Sequence, residues 1–221
     1  DANLTEVVIP SIVNGYPVTE LRETFNEHKN IKSVTLPETL QEISEHAFYF
    51  ATNLETVCLP ENLTVIGENA FAGCSKLSGI NMPDGVTTIS SFAFYGCSSL
   101  TSIALPSSLK SIGSYAFAYC DGLSLVTIPE GITSISSNAF YDCSNLIRVV
   151  LPDTVTAIGS NAFYGCSSLE NIVIPYSVSR MYTDSFSAST VLAVYEDSYA
   201  HNYAVENELS HAIYDGINLP G

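Results

Sequence analysis

Six cysteines are the residues of this sequence best suited to bind a metal or form a cross-link. Five of them recur at a constant step of 23 residues: Cys74, Cys97, Cys120, Cys143 and Cys166. Zinc sites draw ligands from close pairs such as C-x-x-C, and no such pair occurs here. Side chains stacked at the strand repeat keep their Cβ atoms about 4.8 Å apart, beyond the ~3.8 Å typical of a disulfide. We therefore predict free, buried thiols, no metal site, and one outward-facing cysteine, Cys58.

The other residues capable of acid–base chemistry are not spaced for catalysis. The four histidines lie toward the two ends of the chain, at His28, His46, His201 and His211. No spacing places a histidine beside a nucleophile and an orienting acid. The sequence also has no phosphate-binding glycine loop and no EF-hand loop. We predict that the protein is not an enzyme and has no cofactor.

The charge balance narrows the range of partners. The 221 residues include 23 acidic and 7 basic side chains, which gives a net charge of −16. A surface of this sign repels phosphate backbones and anionic lipids, so we predict no nucleic-acid partner. No apolar run approaches the roughly 18 residues of a membrane-spanning helix, so we predict no membrane insertion of this segment. The nearly uncharged stretch between Asp84 and Asp121 leaves room for weak self-association.

Phenylalanine marks the repeat that must position all of these residues. It recurs every 23 residues at Phe25, Phe48, Phe71, Phe94, Phe117, Phe140, Phe163 and Phe186. The unit reads L-x-x-[IV]-x-[LIM]-P-x-x-[LVI]-x-x-I-x-x-x-A-F-x-x-C-x-x. Apolar residues of Leu100–Leu105 alternate with the period of a strand, and Pro106 ends that strand because it lacks an N–H. We predict a mainly β solenoid, a curved right-handed stack of 23-residue coils with parallel strands.

The N-terminal end departs from the regular step. From Pro10 to Pro37 the step is 27 residues. The excess falls in residues 11–17, where Asn14-Gly15 predicts a hairpin. A strand signature begins already at Leu4, so we expect a further coil or domain before it in the full-length protein.

The C-terminal end is predicted to be a small α/β cap. Leu192–Tyr195 has the pattern of a last strand, and Asp197 or Ser198 can begin a short helix. Ala212–Tyr214 follows as a short apolar strand. We therefore predict a solenoid over residues 1–190 and a cap over residues 191–221.

The two halves of the repeat together resemble the BspA-like, treponemal type of leucine-rich repeat. L-x-x-I-x-L is the leucine-rich-repeat strand, and P-x-x-L-x-x-I-x-x-x-A-F-x-x-C replaces the usual asparagine turn and helix. Residues 105–120 (LPSSLKSIGSYAFAYC) and 151–166 (LPDTVTAIGSNAFYGC) are examples, and residues 194–209 resemble the family's cap. The resemblance implies a secreted or surface-anchored protein of a host-associated bacterium, located extracellularly or on the cell surface, with a role in adhesion. It implies no shared catalytic residues and no particular ligand.

The outward strand positions are the first candidate binding surface, because solenoids usually bind partners on the concave face of their strands. One outward column runs from Ser33 to Asn171 and Val194, and the other from Thr35 to Val173. Beyond residue 124 both turn apolar around a single arginine, the composition of an interface core. The predicted protein-binding residues are Leu125, Thr127, Ile147, Arg148, Val150, Asn171 and Val173. Alternatively, these residues merely suit a strand or are covered by the cap.

A second candidate surface is aromatic and lies beside the phenylalanine column. Tyrosines stand next to that phenylalanine, or two residues before it, at Tyr95, Tyr115, Tyr141 and Tyr164. Exposed rings can lie against sugar rings, so these four are glycan-binding candidates; rings that only cover the turns would have no ligand. Three functions remain open: recognition of a host or neighbouring-cell protein, glycan binding, and a structural spacer in a larger surface protein.

Overall fold

A column of stacked phenylalanine rings runs through the core of the protein. The structure, a computed structural model, describes residues 4–216. Successive rings from Phe25 to Phe186 have centroids 5.0–5.7 Å apart and nearly parallel planes. The leucine, isoleucine, alanine and cysteine columns pack around these rings in one continuous core. Each coil therefore covers the apolar side chains of the next.

Two ladders of short parallel strands flank this core. The first ladder, whose outward side chains we call the strand face, contains Glu6–Val8, Ser33–Thr35, Thr56–Cys58, Leu125–Thr127, Arg148–Val150, Asn171–Ile174, Val191–Val194 and His211–Ile213. The second contains Glu20–Leu21, Glu42–Ile43, Val65–Ile66, Thr88–Ile89, Ser111–Ile112, Ser134–Ile135 and Ala157–Ile158. Equivalent residues of neighbouring coils pair in register, as Val34 does with Val57. The predicted parallel solenoid of about 23-residue coils is confirmed.

The first ladder is interrupted in its middle coils. The strand predicted at Leu100–Leu105 is reduced to an isolated bridge between Ile80 and Ile103. Gly79 and Ala104 stand at outward positions of these coils, and neither residue type favours a strand. The apolar column continues through the same coils, so the core is unbroken where the strands are not.

A second interruption separates Arg148–Val150 from Asn171–Ile174. These neighbouring strands belong to different sheets, and no ladder pairs them. We call this break the seam. It lies inside the group of residues predicted to bind a protein.

The turn that contains the phenylalanine is held by a third set of hydrogen bonds. The N–H groups of His46, Phe48 and Phe50 donate to the main-chain oxygens of Glu68, Ala70 and Ala72 in the next coil. The intervening N–H groups bond back within their own turn. The backbone achieves this alternation with left-handed residues two before and two after the phenylalanine, such as His46 and Phe50, with φ of 56° and 53°.

The hairpin near the N-terminus is short and exposed. Ile12–Val13 pairs antiparallel with Tyr16–Pro17. Asn14 and Gly15 have φ of 53° and 83°, the conformation that tight two-residue hairpin turns require. The side chains of Ile12, Val13 and Tyr16 are exposed to solvent.

The C-terminal segment continues the solenoid with a helix and a strand. Ser198 caps the helix Tyr199–Glu206 by accepting the N–H of His201 at 3.1 Å. Ala200 and Ala204 of this helix are buried against the core. Residues 217–221 of the predicted cap, and residues 1–3 of the predicted solenoid, lie outside the described residues.

The last repeat is shorter than the others, which changes the assignment of one outward residue. Asn171 pairs with Val191, and Ile174 pairs with Val194. The expected outward position of Val194 is therefore wrong. Its side chain is fully buried, and Val191 takes the position beside Asn171.

Candidate binding surfaces

The five periodic cysteines are buried, and Cys58 is exposed, as predicted. Each buried S–H donates to the main-chain oxygen of a phenylalanine in another coil, as Cys74 does to Phe48 at 3.1 Å. Burial raises the pKa of the Cys74 thiol to about 12. It also raises the pKa of Cys97 well above its ordinary value. Because the thiolate is the reactive form, these thiols are unreactive side chains of the core.

The histidines and carboxylates of the described residues form local surface contacts. The Nδ1 atom of His46 lies 3.3 Å from the Glu45 carboxylate, which also pairs with Arg22 at 2.9 Å. The Nδ1 atom of His201 accepts the N–H of Asp197 at the start of the helix. Across residues 4–216, no three metal-binding side chains lie close enough to hold an ion.

The predicted protein-binding residues lie together on the strand face. We call Leu125, Thr127, Ile147, Arg148, Val150, Asn171 and Val173 the strand-face patch. Leu125 pairs with Arg148, and Thr127 pairs with Val150. The side chains of Leu125, Ile147 and Val150 are 47%, 65% and 37% exposed. Asn171 and Val173 are half-buried across the seam.

Two shallow hollows lie along the seam, so the surface of the strand-face patch is not flat. The first, of about 230 Å³, is lined by Arg148, Val150, Asn171, Val173, Tyr195 and Tyr214, with parts of the strands between them. The ring centroids of Tyr195 and Tyr214 lie 5.5 Å apart, edge to face. The second hollow is lined by Ile147, Arg148, Glu170, Asn171 and two serines. Arg148 and Asn171 thus border both hollows.

Arg148 is the cation of this surface, and its charge is available to a ligand. Within residues 4–216 it forms no ion pair, although Glu170 borders the same hollow. The chain around it is strongly acidic, with a net charge of −16. An arginine beside exposed leucine, isoleucine and valine can accept a carboxylate while the apolar side chains bury a neighbouring apolar group.

Tyr195 and Tyr214 were not predicted as site residues. They enter the hollow because the short last repeat places them one after the other at the end of the strand face. Partial burial raises the pKa of Tyr195, and the nearby Tyr214 and Asp153 act in the same direction. Its hydroxyl therefore stays protonated at neutral pH and can donate a hydrogen bond. A register that fails to follow the 23-residue step cannot be read from the repeat alone.

The four candidate glycan-binding tyrosines belong to one larger aromatic surface. We call Phe92, Tyr95, Tyr115, Tyr119, Tyr141 and Tyr164 the aromatic ridge. Phe92 stacks on Tyr115 with centroids 4.8 Å apart. The steps from Tyr95 to Tyr119, Tyr141 and Tyr164 are 5.2, 5.5 and 5.7 Å. Tyr119 and Tyr164 are 36% and 47% exposed, and the other four rings are half-buried.

Three residues of the ridge have a backbone conformation that disfavours their type. Phe92, Tyr115 and Tyr119 have φ of 58°, 57° and 59°. Other coils place asparagine or glycine at many of the equivalent positions, including Asn69, Asn138, Asn161, Gly73, Gly96 and Gly165. A left-handed bulky residue costs roughly 1–2 kcal/mol, whereas glycine adopts this region freely. Stacking of aromatic pairs returns about 0.5–1.5 kcal/mol, so the rings bring little net stability.

Comparison with known proteins defines the class. The sequence profile described as the BspA type leucine rich repeat region matches residues 1–100 and 66–193 in six copies. The chain therefore belongs to the BspA-type leucine-rich-repeat family, as its repeat predicts. Leucine-rich-repeat proteins commonly bind other proteins, and this family is typically non-enzymatic. No curated protein sequence matches the chain.

Solved structures with this fold come from several bacteria. A leucine-rich repeat protein of T. pallidum is 35% identical, with a TM-score of 0.71 over 75% of this chain and 78% of that one. One from Bacteroides ovatus is 27% identical, with a TM-score of 0.56 over 87% of this chain and 48% of that one. The pneumococcal vaccine antigen PcpA shares the fold at 23% identity, with a TM-score of 0.52 over 86% and 43% of the two chains. In residues 4–216, no helix has the length and apolar character needed to cross a bilayer.

Proposed function

We propose that this chain is a non-catalytic recognition module that binds a host or neighbouring-cell protein through the strand-face patch. The observation behind the proposal is that Arg148, which forms no ion pair with any of the described residues, is set among the exposed side chains of Leu125, Ile147 and Val150. Contiguous exposed apolar side chains around an arginine are characteristic of interface centres. The family's common role in protein binding supports this assignment.

The shape and charge of the patch indicate the kind of protein surface it fits. Val150 and Val173 provide apolar walls for the hollow beside the seam, and Arg148 and Asn171 provide polar groups at its edge. A partner segment with an apolar side chain next to an aspartate or glutamate would match these groups. The net charge of −16 repels a partner's carboxylate over most of the surface, whereas the positive charge of Arg148 attracts it at the strand-face patch.

We further propose that the module acts outside the cell, as part of a secreted or surface-anchored bacterial protein with an adhesive role. Membership of the BspA-type leucine-rich-repeat family supports this location. The chain spans about half of the Bacteroides ovatus relative.

A binding screen with paired variants tests the proposal. The chain is passed over arrayed extracellular-matrix and bacterial surface proteins at physiological salt, beside the R148E/V150D double variant. We expect a protein that binds the wild type and loses at least about 30-fold in affinity with the variant, as loss of an interface hot spot would produce.

The matched control adds two acids to the same face outside the patch. S102E/A104D changes the equivalent outward positions two coils away and should bind the same protein normally. Full affinity of R148E/V150D would refute the patch as the binding surface. Absence of any protein ligand would favour a structural spacer. Concentration-dependent sedimentation of the chain alone would indicate weak self-association through the nearly uncharged stretch between Asp84 and Asp121.

A further inference from the structure

We infer that the aromatic ridge is a second binding site, separate from the strand-face patch, and that its ligand is a neutral polysaccharide. The inference does not depend on the proposed protein-binding function. It rests on the continuity of the six rings, on the left-handed backbone of three of them and on the tyrosine hydroxyls that the ridge exposes to a ligand.

The aromatic ridge is continuous. The ring contacts run without a break from Phe92 and Tyr95 through Tyr119 and Tyr141 to Tyr164. The ridge therefore extends over four consecutive coils while remaining narrow. An extended chain of linked pyranoses, each offering an apolar face at a regular repeat, matches such a surface better than a broad protein interface does.

Part of the ridge has an unusual backbone conformation. Phe92, Tyr115 and Tyr119 occupy left-handed positions where glycine or asparagine would fold more easily. These three residues are adjacent in space, because Phe92 stacks on Tyr115 and Tyr119 contacts Tyr95 of the same cluster. The same conformation recurs from turn to turn and includes Glu23, His46 and Phe50 outside the ridge, but only in the ridge do three aromatic residues adopt it within one contacting cluster. Aromatic residues kept at positions where glycine or asparagine folds more easily point to a role outside folding.

The polar groups and ring faces of the ridge suit a sugar ligand. Within residues 4–216, the hydroxyls of its five tyrosines have no hydrogen-bond partner, so they are available to sugar hydroxyls. Partial burial raises the pKa of Tyr119, which keeps its hydroxyl neutral and able to donate. The aromatic faces attract the weakly positive C–H groups of a pyranose.

The charges nearby select a neutral ligand. The four turns that form the ridge, residues 90–98, 113–121, 136–144 and 159–167, contain no lysine or arginine. They do contain Asp121 and Asp142. A sulfated, phosphorylated or uronic-acid polymer would meet repulsion here without a compensating cation.

The decisive variant is Tyr119→Gly, because it removes a central ring and relieves an unfavourable conformation together. The probes are hexasaccharides of β-1,4-glucose, β-1,4-xylose, β-1,4-mannose and α-1,4-glucose, titrated by calorimetry. Tyrosine fluorescence gives an independent signal, since the chain has no tryptophan. We expect at least one hexasaccharide to bind, and Tyr119→Gly to weaken it by about tenfold or more while the variant remains folded.

The matched control is Phe50→Gly, which makes the equivalent change in a coil outside the ridge. Phe50 has the same left-handed backbone, with φ of 53°. Because it lies outside the ridge, its replacement should leave sugar binding unchanged. R148E/V150D should also retain sugar binding, which separates this site from the strand-face patch. Unchanged affinity of Tyr119→Gly, or no binding of any hexasaccharide at millimolar concentration, would overturn the inference. A protein ligand that is lost with Tyr119→Gly would show a protein interface instead, and would equally overturn it.

Discussion

Replacing Phe117 by alanine should weaken the solenoid at its centre. The ring is fully buried. It stacks between Phe94 and Phe140, with centroids 5.3 and 5.4 Å away and planes within 7° of parallel. Because each coil is stabilised by its neighbours, loss of this ring weakens two interfaces between coils.

The expected magnitude follows from burial and packing. A buried phenylalanine replaced by alanine typically costs about 3–5 kcal/mol, part of which is the cavity left between the flanking rings. For a chain of this length, such a loss lowers the melting temperature by roughly 6–20 °C. Two stacked partners and complete burial place Phe117→Ala toward the upper end of that range.

Urea unfolding followed by circular dichroism measures the effect. Phe50→Ala is the matched control, because Phe50 is exposed outside the ring column and should cost about 1 kcal/mol or less. Weakened coupling between the two halves would also broaden or split the transition of Phe117→Ala. An unchanged midpoint for Phe117→Ala, or equal effects of the two substitutions, would refute the stacked core.

Three further predictions concern the thiols and the glycines. A thiol reagent should modify Cys58 alone in the native protein and all six cysteines in denaturant, since the other five are buried; more than one equivalent in the folded state would contradict this. Burial raises the pKa of Cys74 from an ordinary value of 9.0 to about 12, so the folded state favours the protonated thiol more than the unfolded state does. The resulting contribution to the free energy of unfolding is complete below about pH 9 and is lost as the pH rises toward 12. The urea midpoint should therefore fall between pH 8 and pH 10, and Cys74→Ala should reduce that fall. Gly113→Ala should destabilise strongly, because its Cβ would lie 2.3 Å from the main-chain nitrogen of Ser91, whereas Gly79→Ala meets nothing within 4 Å and should be near neutral in thermal melts.

The fold could be predicted largely because the repeat fixes the environment of each column. Phenylalanine, cysteine and the strand isoleucines recur at one spacing, so each must meet its own type in the next coil. The constant spacing likewise predicts that Leu125, Arg148 and Val150 are neighbours on the strand face, and they are. Periodicity is informative wherever the period holds.

The features that escaped prediction arise where the period fails or where backbone conformation matters. Val194 turned inward because the last repeat is short, which also brought Tyr195 and Tyr214 to the seam. The strand near Ile103 is missing because the outward residues of these coils have weak strand propensity, although the inward residues still fill the core. Tyr119 was not predicted, although an aromatic residue at a position that is glycine in three other coils was a signal available in the sequence.

Hydrogen–deuterium exchange in the complex locates the bound protein on the solenoid. The strands Arg148–Val150 and Asn171–Ile174 share no ladder across the seam, so a bound protein partner should slow amide exchange there. With the protein identified by the screen, we expect slower exchange in residues 147–150 and 170–173, and no change in residues 102–104 or 115–119. Protection confined to other coils, with residues 147–150 and 170–173 unchanged, would contradict recognition through the strand-face patch.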